Sequence, residues 1–186
     1  LVGWSYTGYL SQLAQGDGLP IGTCSPGESE ERLRACLLDT LSELIGEPRS
    51  PNELRLKSVR AHGDVTSVHF THTYEGIPVI GGSVRIDLDR DGRILSVGST
   101  SIPEMNVELD QGCPSARDCL DSFDQKNALS VLAGSLGEAN VIHWGDGIWV
   151  DRKSQSQVGR PVKMVVALSP DKITEWGVYL DPSGKI

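Results

Sequence analysis

From Val68 to Val97 the chain alternates between apolar and polar positions. Val68, Phe70, His72 and Tyr74 fall on one side of an extended segment, with His69, Thr71 and Thr73 on the other. Further on, Val84, Ile86 and Leu88 alternate with Arg85, Asp87 and Asp89. A period of two belongs to strands with one face in a core and the other in water. Asp91-Gly92, between Leu88 and Ile94, is a hairpin signal. Glu75-Gly76-Ile77-Pro78 interrupts the pattern, and Pro78, with no N–H to give a ladder, belongs at a strand start or an edge. Leu54, Leu56, Ser58 and Val59 predict an earlier strand, and Gly63-Asp64 a turn into Val65–Tyr74. Consecutive strands joined by short turns usually pair as neighbours, so an antiparallel meander ending near Ser101 is expected.

Residues 28–45 carry a helical period: Leu33, Leu37, Leu41, Leu44 and Ile45 form one apolar stripe. Glu28, Glu30 and Glu31 crowd its first turn, where the helix dipole favours negative charge. Gly46 and Pro48 end it. Its start has two readings. Ser25-Pro26-Gly27-Glu28 spells a capping box. A helix from Pro26, however, would set Cys36 about 15 Å along the axis, whereas a disulfide holds its Cα atoms within about 7 Å. A Cys24–Cys36 bond and a start at Pro26 therefore exclude each other. The reading adopted takes the bond, a start near Ser29, and residues 24–29 folded back along the helix.

Residues 1–23 form an arm with Trp4, Tyr6 and Tyr9 whose order the pattern does not decide. Pro103–Gly112 is acidic and irregular and reads as a boundary. Ser122-Phe123-Asp124-Gln125 spells a second capping box, opening a helix to Leu136 with Leu129, Leu132, Ala133 and Leu136 on one side. Then come Val141–Val150, a polar loop at Asp151–Gly159, the apolar run Val162–Leu168, a turn at Ser169–Lys172, and Ile173–Leu180. This order predicts an α+β chain of two subdomains, each a helix packed on an antiparallel β-sheet. The divisions are an arm at 1–23, a first subdomain at 24–102, a connection at 103–120 and a second subdomain at 121–186.

The 186 residues suit one domain or two small ones. The net charge of −8 comes without a Lys/Arg cluster, so neither nucleic acid nor a membrane surface is an expected partner. No apolar run reaches the ~18 residues of a membrane helix. Leu1 is neither an initiator Met nor the start of a signal peptide, as expected of a processed or cut chain. The four cysteines are Cys24, Cys36, Cys113 and Cys119. Their even number and close spacing fit disulfides in a secreted or extracytoplasmic protein, with buried thiols as the alternative. Four cysteines allow three pairings, and spacing does not choose among them; a local loop through Cys113 and Cys119 is compatible with it.

His69, Phe70, Tyr74, Gly76-Ile77-Pro78-Val79, Gly81-Gly82 and Leu88-Asp89-Arg90-Asp91-Gly92, with Ile94 and Val97, resemble the fungalysin/thermolysin propeptide domain. His72 departs from that pattern, which usually carries a glutamine there. One helix followed by strands, ending in Trp176-Gly177-Val178-Tyr179-Leu180-Asp181 and Gly184-Lys185, resembles a PepSY domain. The first resemblance is carried by about thirty residues and assigns 24–102 to a propeptide-like domain; the second assigns 121–186 to a PepSY-like one, and together they cover about two thirds of the chain. Together they imply the non-catalytic pro-region of a secreted zinc metallopeptidase, acting as intramolecular chaperone and inhibitor. The implied partner is the cognate catalytic domain, with Tyr179, Asp181, Lys185 and Ile186 as candidate contact residues and no cofactor.

The residues carry no constellation that suggests another chemistry. No His-Glu-x-x-His is present, and His69 and His72, three apart on a strand, point to opposite faces. Asp87, Asp89 and Asp91 follow strand alternation and read as a solvated face, not a calcium loop. There is no G-x-S-x-G, and Gly81-Gly82 is not followed by Lys-Ser/Thr. Trp144, Trp149 and Trp176 read as core or interface residues. No catalytic or metal-binding residue is nominated. A stand-alone secreted binding module is the alternative function.

Overall fold

In the computed structural model the alternation becomes two buried rows. Val84, Ile86 and Leu88 are at most 1% exposed, and so are Val68, Phe70 and His72. The structure describes residues 2–4, 10–14, 23–25, 29–45, 51–102, 104–137, 140–151, 158–171 and 174–181. The chain divides into two units. One holds residues 1–76 and 81–104, the other 77–80 and 105–186.

The first unit carries β1 (Val2–Trp4), β2 (Leu10–Ala14), α1 (Glu30–Ile45), β3 (Asn52–His62), β4 (Val65–Tyr74), the body of β5 (Ile77–Asp89) and β6 (Ile94–Ser99). Strand pairing runs β1-β2-β6-β5-β4-β3. The arm is therefore part of the sheet: β2 pairs antiparallel with β6 through Leu13↔Val97. Tyr6 and Tyr9 of the arm lie outside the described residues. Between β4 and β5, Glu75 and Gly76 take φ of +49° and +76°. Positive φ at both central residues is the geometry that matches the twist of a two-residue hairpin. Pro78 is the second residue of β5, at the start that its missing N–H requires. After β5, Asp89 Oδ1 accepts from the backbone N–H of Asp91 and Arg93, both at 2.9 Å, which fixes the Asp91-Gly92 turn.

The helix α1 starts where the disulfide reading puts it. The Leu33 N–H donates to Ser29 O, and Ser29 Oγ accepts from Arg32 N. Cys24 and Cys36 are bonded, with Cα atoms 5.9 Å apart. Cys24 N also donates to Gly92 O at 2.8 Å. The bond thus staples the β5–β6 turn to the helix, and a closed loop of this size contributes about 3 kcal/mol in the chain-entropy model. Leu33 and Leu37 join Leu54, Val68, Phe70, Val84, Ile86, Leu88, Ile94 and Val97 in one core. The side chains of Leu41, Leu44 and Ile45 lie outside the described ones.

The second unit adds β7 (Asn106–Val107), α2 (Ala116–Asp121), α3 (Gln125–Leu136), β8 (Asn140–Val150), β9 (Val158–Leu168) and β10 (Glu175–Leu180) to the first residues of β5. β9 pairs antiparallel with β8 from Gly159 to Leu168. Its other edge is shared: β10 runs antiparallel beside residues 163–168, and β7 runs parallel beside Val158 and Gly159. The start of β5 adds a second parallel contact, Val79↔Ile148. Close packing fixes Gly159. A Cβ there would stand 2.6 Å from Ile148 Cγ2 and 3.0 Å from Met105 Sδ, both on fully buried side chains.

These pairings correct the expected architecture of two subdomains, each a helix on an antiparallel sheet. The chain is mostly β, with ten strands against three helices among the described residues, and its sheet is mixed. An antiparallel hairpin announces itself by a turn, whereas a parallel pair is joined by a distant crossover and leaves no local mark. The second unit also holds two helices. Ser122 does not open a helix; its N–H caps the end of α2, and Ser115 caps that helix's start. The cap of α3 is Asp124, whose carboxylate accepts from Lys126 N and Asn127 N. The buried stripe of α3 is Ala128 and Leu132, and Leu129 is 43% exposed. Cys113 and Cys119 are bonded across the start of α2, with Cα atoms 5.2 Å apart.

Candidate partner-binding surface

The two faces of the second unit's sheet differ. On one, Val165, Val178 and Leu180 pack with Ala128 and Leu132 of α3, and Phe123, Val141, Trp144 and Trp176 close around them. Trp144 meets Phe123 edge-on, with ring centroids 5.9 Å apart. Below it Asp146 is held by Lys163 at 2.5 Å and by Arg117 of α2 at 2.9 Å.

Strand alternation sends the intervening residues to the opposite face. There Tyr179 stands beside Met164, Trp149 beside Arg160, and Gly177 beside Val166. Trp149 is 39% exposed and Tyr179 40%. Together with Val162, Arg160 and Asp181 they line a groove of about 510 Å³. Gly177 keeps its floor low, because a Cβ there would meet nothing within 4 Å. Arg160 anchors one end, donating from Nε and Nη2 to Glu108 Oε2 at 3.1 and 2.8 Å. Two large amphipathic rings over a shallow floor, with charged groups at the ends, can bind a folded surface or an extended segment.

Of the nominated contact residues, Tyr179 and Asp181 come together in this groove. Lys185 and Ile186 lie outside the described residues. The sequence reading had no means of joining Trp149, Arg160 and Val162 to them, since these arrive from β8 and β9 through cross-strand register. One signal was present: Trp149 lies an odd number of residues from Trp144, so one strand must turn the two rings to opposite faces.

The polar face of the first unit's sheet carries the other concentration of functional groups. Ser67 Oγ donates to Asp87 Oδ1 at 2.6 Å and Ser96 Oγ to Oδ2 at 2.7 Å, while Arg85 Nε reaches Oδ1 at 3.1 Å. Both hydroxyl protons point at a carboxylate, so neither serine is set up to lose its proton to a base. His69 shares this face, and His72 faces the core. Burial, then Arg85 and Arg60, hold the His69 imidazole below its ordinary pKa, with Asp87 opposing. Among the described residues no group of three or more His, Cys, Asp or Glu could hold a metal ion.

Burial alone would raise the Asp87 pKa, but the hydrogen bonds from Ser67, Ser96 and Arg85 outweigh it, and the carboxyl stands below its ordinary value. A depressed carboxylate stabilises the fold above the unfolded pKa of about 3.9, and that share disappears as pH falls through the lower folded value. Asp87→Asn is therefore expected to be destabilising at pH 7 by an amount that shrinks below about pH 4. Urea midpoints of both proteins at pH 7 and pH 3 check this; a gap of constant size would contradict it.

Residues 52–101, from the start of β3 to just past β6, match the family model described as Fungalysin/Thermolysin Propeptide Motif. The match covers about a quarter of the chain and includes every strand of the resemblance drawn from His69 to Val97. No curated protein matches the chain. Among solved structures it is similar to the Bacillus megaterium YpeB C-terminal domain, at 10% identity and a TM-score of 0.40, over 96% of this chain and 70% of that one. No described helix is long and apolar enough to cross a membrane.

Proposed function

We propose that this chain is a non-catalytic pro-region that assists the folding of a secreted zinc metalloendopeptidase and inhibits it until the two are separated. The observation that carries this reading is the propeptide-motif match over residues 52–101. In the proposal, residues 24–102 act as the propeptide-like part and 121–186 as a PepSY-like part. The two disulfides accord with an oxidising, extracytoplasmic setting.

The physical argument concerns barriers. Large secreted proteases often persist because unfolding is slow, so the same barrier also slows folding. A rigid surface complementary to the folding transition state lowers that barrier. Bound to the finished enzyme, the same surface blocks access to the cleft. Tyr179 and Asp181, with Trp149 and Arg160 beside them, are the proposed contact residues for the catalytic domain.

The test mixes residues 1–186 with a panel of fungalysin- and thermolysin-type catalytic domains. Slow-release inhibition of at least one, and a raised yield of active enzyme when that enzyme refolds in its presence, are expected. Inhibition without refolding assistance would point to a stand-alone inhibitory module, and the absence of both would reject the reading.

A further inference from the structure

His72 is fully buried, yet both ring nitrogens are engaged. The backbone N–H of Ile102 points at Nδ1 from 3.4 Å. An N–H donor there requires Nδ1 to be the bare acceptor, so the neutral ring carries its proton on Nε2. Nε2 lies 3.0 Å from Asn52 Oδ1, an acceptor that matches this tautomer. One side chain thus joins three stretches distant in sequence: the start of β3, the end of β4, and the segment that leaves β6.

We infer that His72 is a proton-operated latch on the chain at Ile102, closed when the ring is neutral and opened by acid. A proton added at Nδ1 would set one N–H against another and leave a cation in the core. The strain falls on the weaker attachment. Asn52 is fixed in the β3–β4 ladder by its pairing with Tyr74. Thr100, two residues before Ile102, is tied to β5 by Thr100 N–Ser83 O at 2.8 Å and by Thr100 Oγ1–Gly81 O at 2.6 Å. Opening therefore starts beyond Ser101, freeing Ile102, whose side chain is 2% exposed, and uncovering the stretch that leads into the second unit.

The sign follows from proton counting. The latched ring binds no proton at Nδ1, whereas a released imidazole binds one below its ordinary pKa of about 6.5. Opening is then favoured up to tenfold for each pH unit below that value.

Charged groups stand on each of the surrounding elements. Arg34 of α1 donates to Leu54 O at 2.9 Å, on the residue paired with His72. Glu53 and Arg55 of β3 pair with each other at 3.1 Å on the solvent side. Arg85, Asp87 and Asp89 of β5 alternate with buried residues and face away from the ring. Tyr74 shares β4 with the ring, Glu75 follows in the turn, and Glu104 lies two residues past Ile102.

This inference does not depend on the proposed function, and its test uses no protease. Amide hydrogen exchange at Ile102, expressed as a protection factor, is measured from pH 7 to pH 5 in the full chain. A loss of at least tenfold is expected in the native protein, with the nitrogen shifts of His72 showing the Nε2–H tautomer at pH 7. His72→Gln keeps one donor and one acceptor without titrating, as the propeptide pattern's usual glutamine would. It is expected to hold protection constant over the same range. His69→Gln, on the opposite face, should leave the loss intact. Constant protection in the native protein, or an equal loss in His72→Gln, would overturn the latch. If His72→Gln does not fold, the nitrogen shifts decide: His72 protonation must coincide with the loss at Ile102, and protection lost while the ring stays neutral overturns it.

Discussion

Phe70→Ala is expected to lower the unfolding free energy by about 3–5 kcal/mol, the range for removing a buried aromatic ring. Phe70 is 1% exposed and sits where α1 meets the sheet, in one cluster with Leu33 and Leu37 on the helix and Leu54, Val84, Ile86 and Val97 on the strands. Val84, Ile86 and Val97 are β-branched and held in ladder register, so they have few rotamers with which to fill the space. The cavity therefore stays open, and its cost adds to the lost transfer free energy. Domains are stable by only about 5–15 kcal/mol, so this change consumes a large share. The urea midpoint measures it. Val59→Ala, on the same hairpin but at a position 39% exposed, is the control, expected within about 0.5 kcal/mol of the native protein. Equal shifts for the two would mean that the helix does not close this core.

Under the proposed function, Trp149→Ala and Tyr179→Ala are each expected to weaken inhibition of the partner endopeptidase by roughly 30-fold, the equivalent of a hot-spot loss of about 2 kcal/mol. The two rings flank one groove, so their effects combine with less than full additivity. Neither ring belongs to the α3 core, so the unfolding midpoint should barely move. Leu129→Ala tests the choice of face. Leu129 is 43% exposed but lies on α3, on the other side of the sheet, and its loss should leave inhibition unchanged. Weaker inhibition from Leu129→Ala together with none from the two aromatic changes would move the contact surface to the helical face.

Much of the first unit was legible because its signals are local. Glycine and aspartate at 63–64 and 91–92 mark tight turns, in which Gly63 and Gly92 take the positive φ, and alternation between them fixes which side chains enter the core. The incompatibility of a Cys24–Cys36 bond with a helix from Pro26 was enough to move the start of α1 to its observed place. The second unit was read less well. Ser122 and Asp124 both suit a cap, and only the packing of α2, held by Cys113–Cys119, assigns Ser122 to the end of one helix and Asp124 to the start of the next. On α3 the stripe kept Leu132 but took Ala128 in place of Leu129, because burial depends on which residue faces the sheet and not on its size.

What the sequence determined by itself is the strands from β3 to β6 and the inward faces of β4 and β5, since the period of two and the turn residues act within a few bonds of each other; β1, β2 and β7 carry no such period. Tertiary structure alone decided the neighbours that are distant in sequence. Parallel pairing of β5 with β8 and of β7 with β9, the placing of Trp149 and Tyr179 on one groove, and the hydrogen bond from Ile102 to His72 join residues with whole strands or helices between them in the chain. Such contacts arise from register and packing across the sheet, and these leave no mark in the order of residues along any single strand.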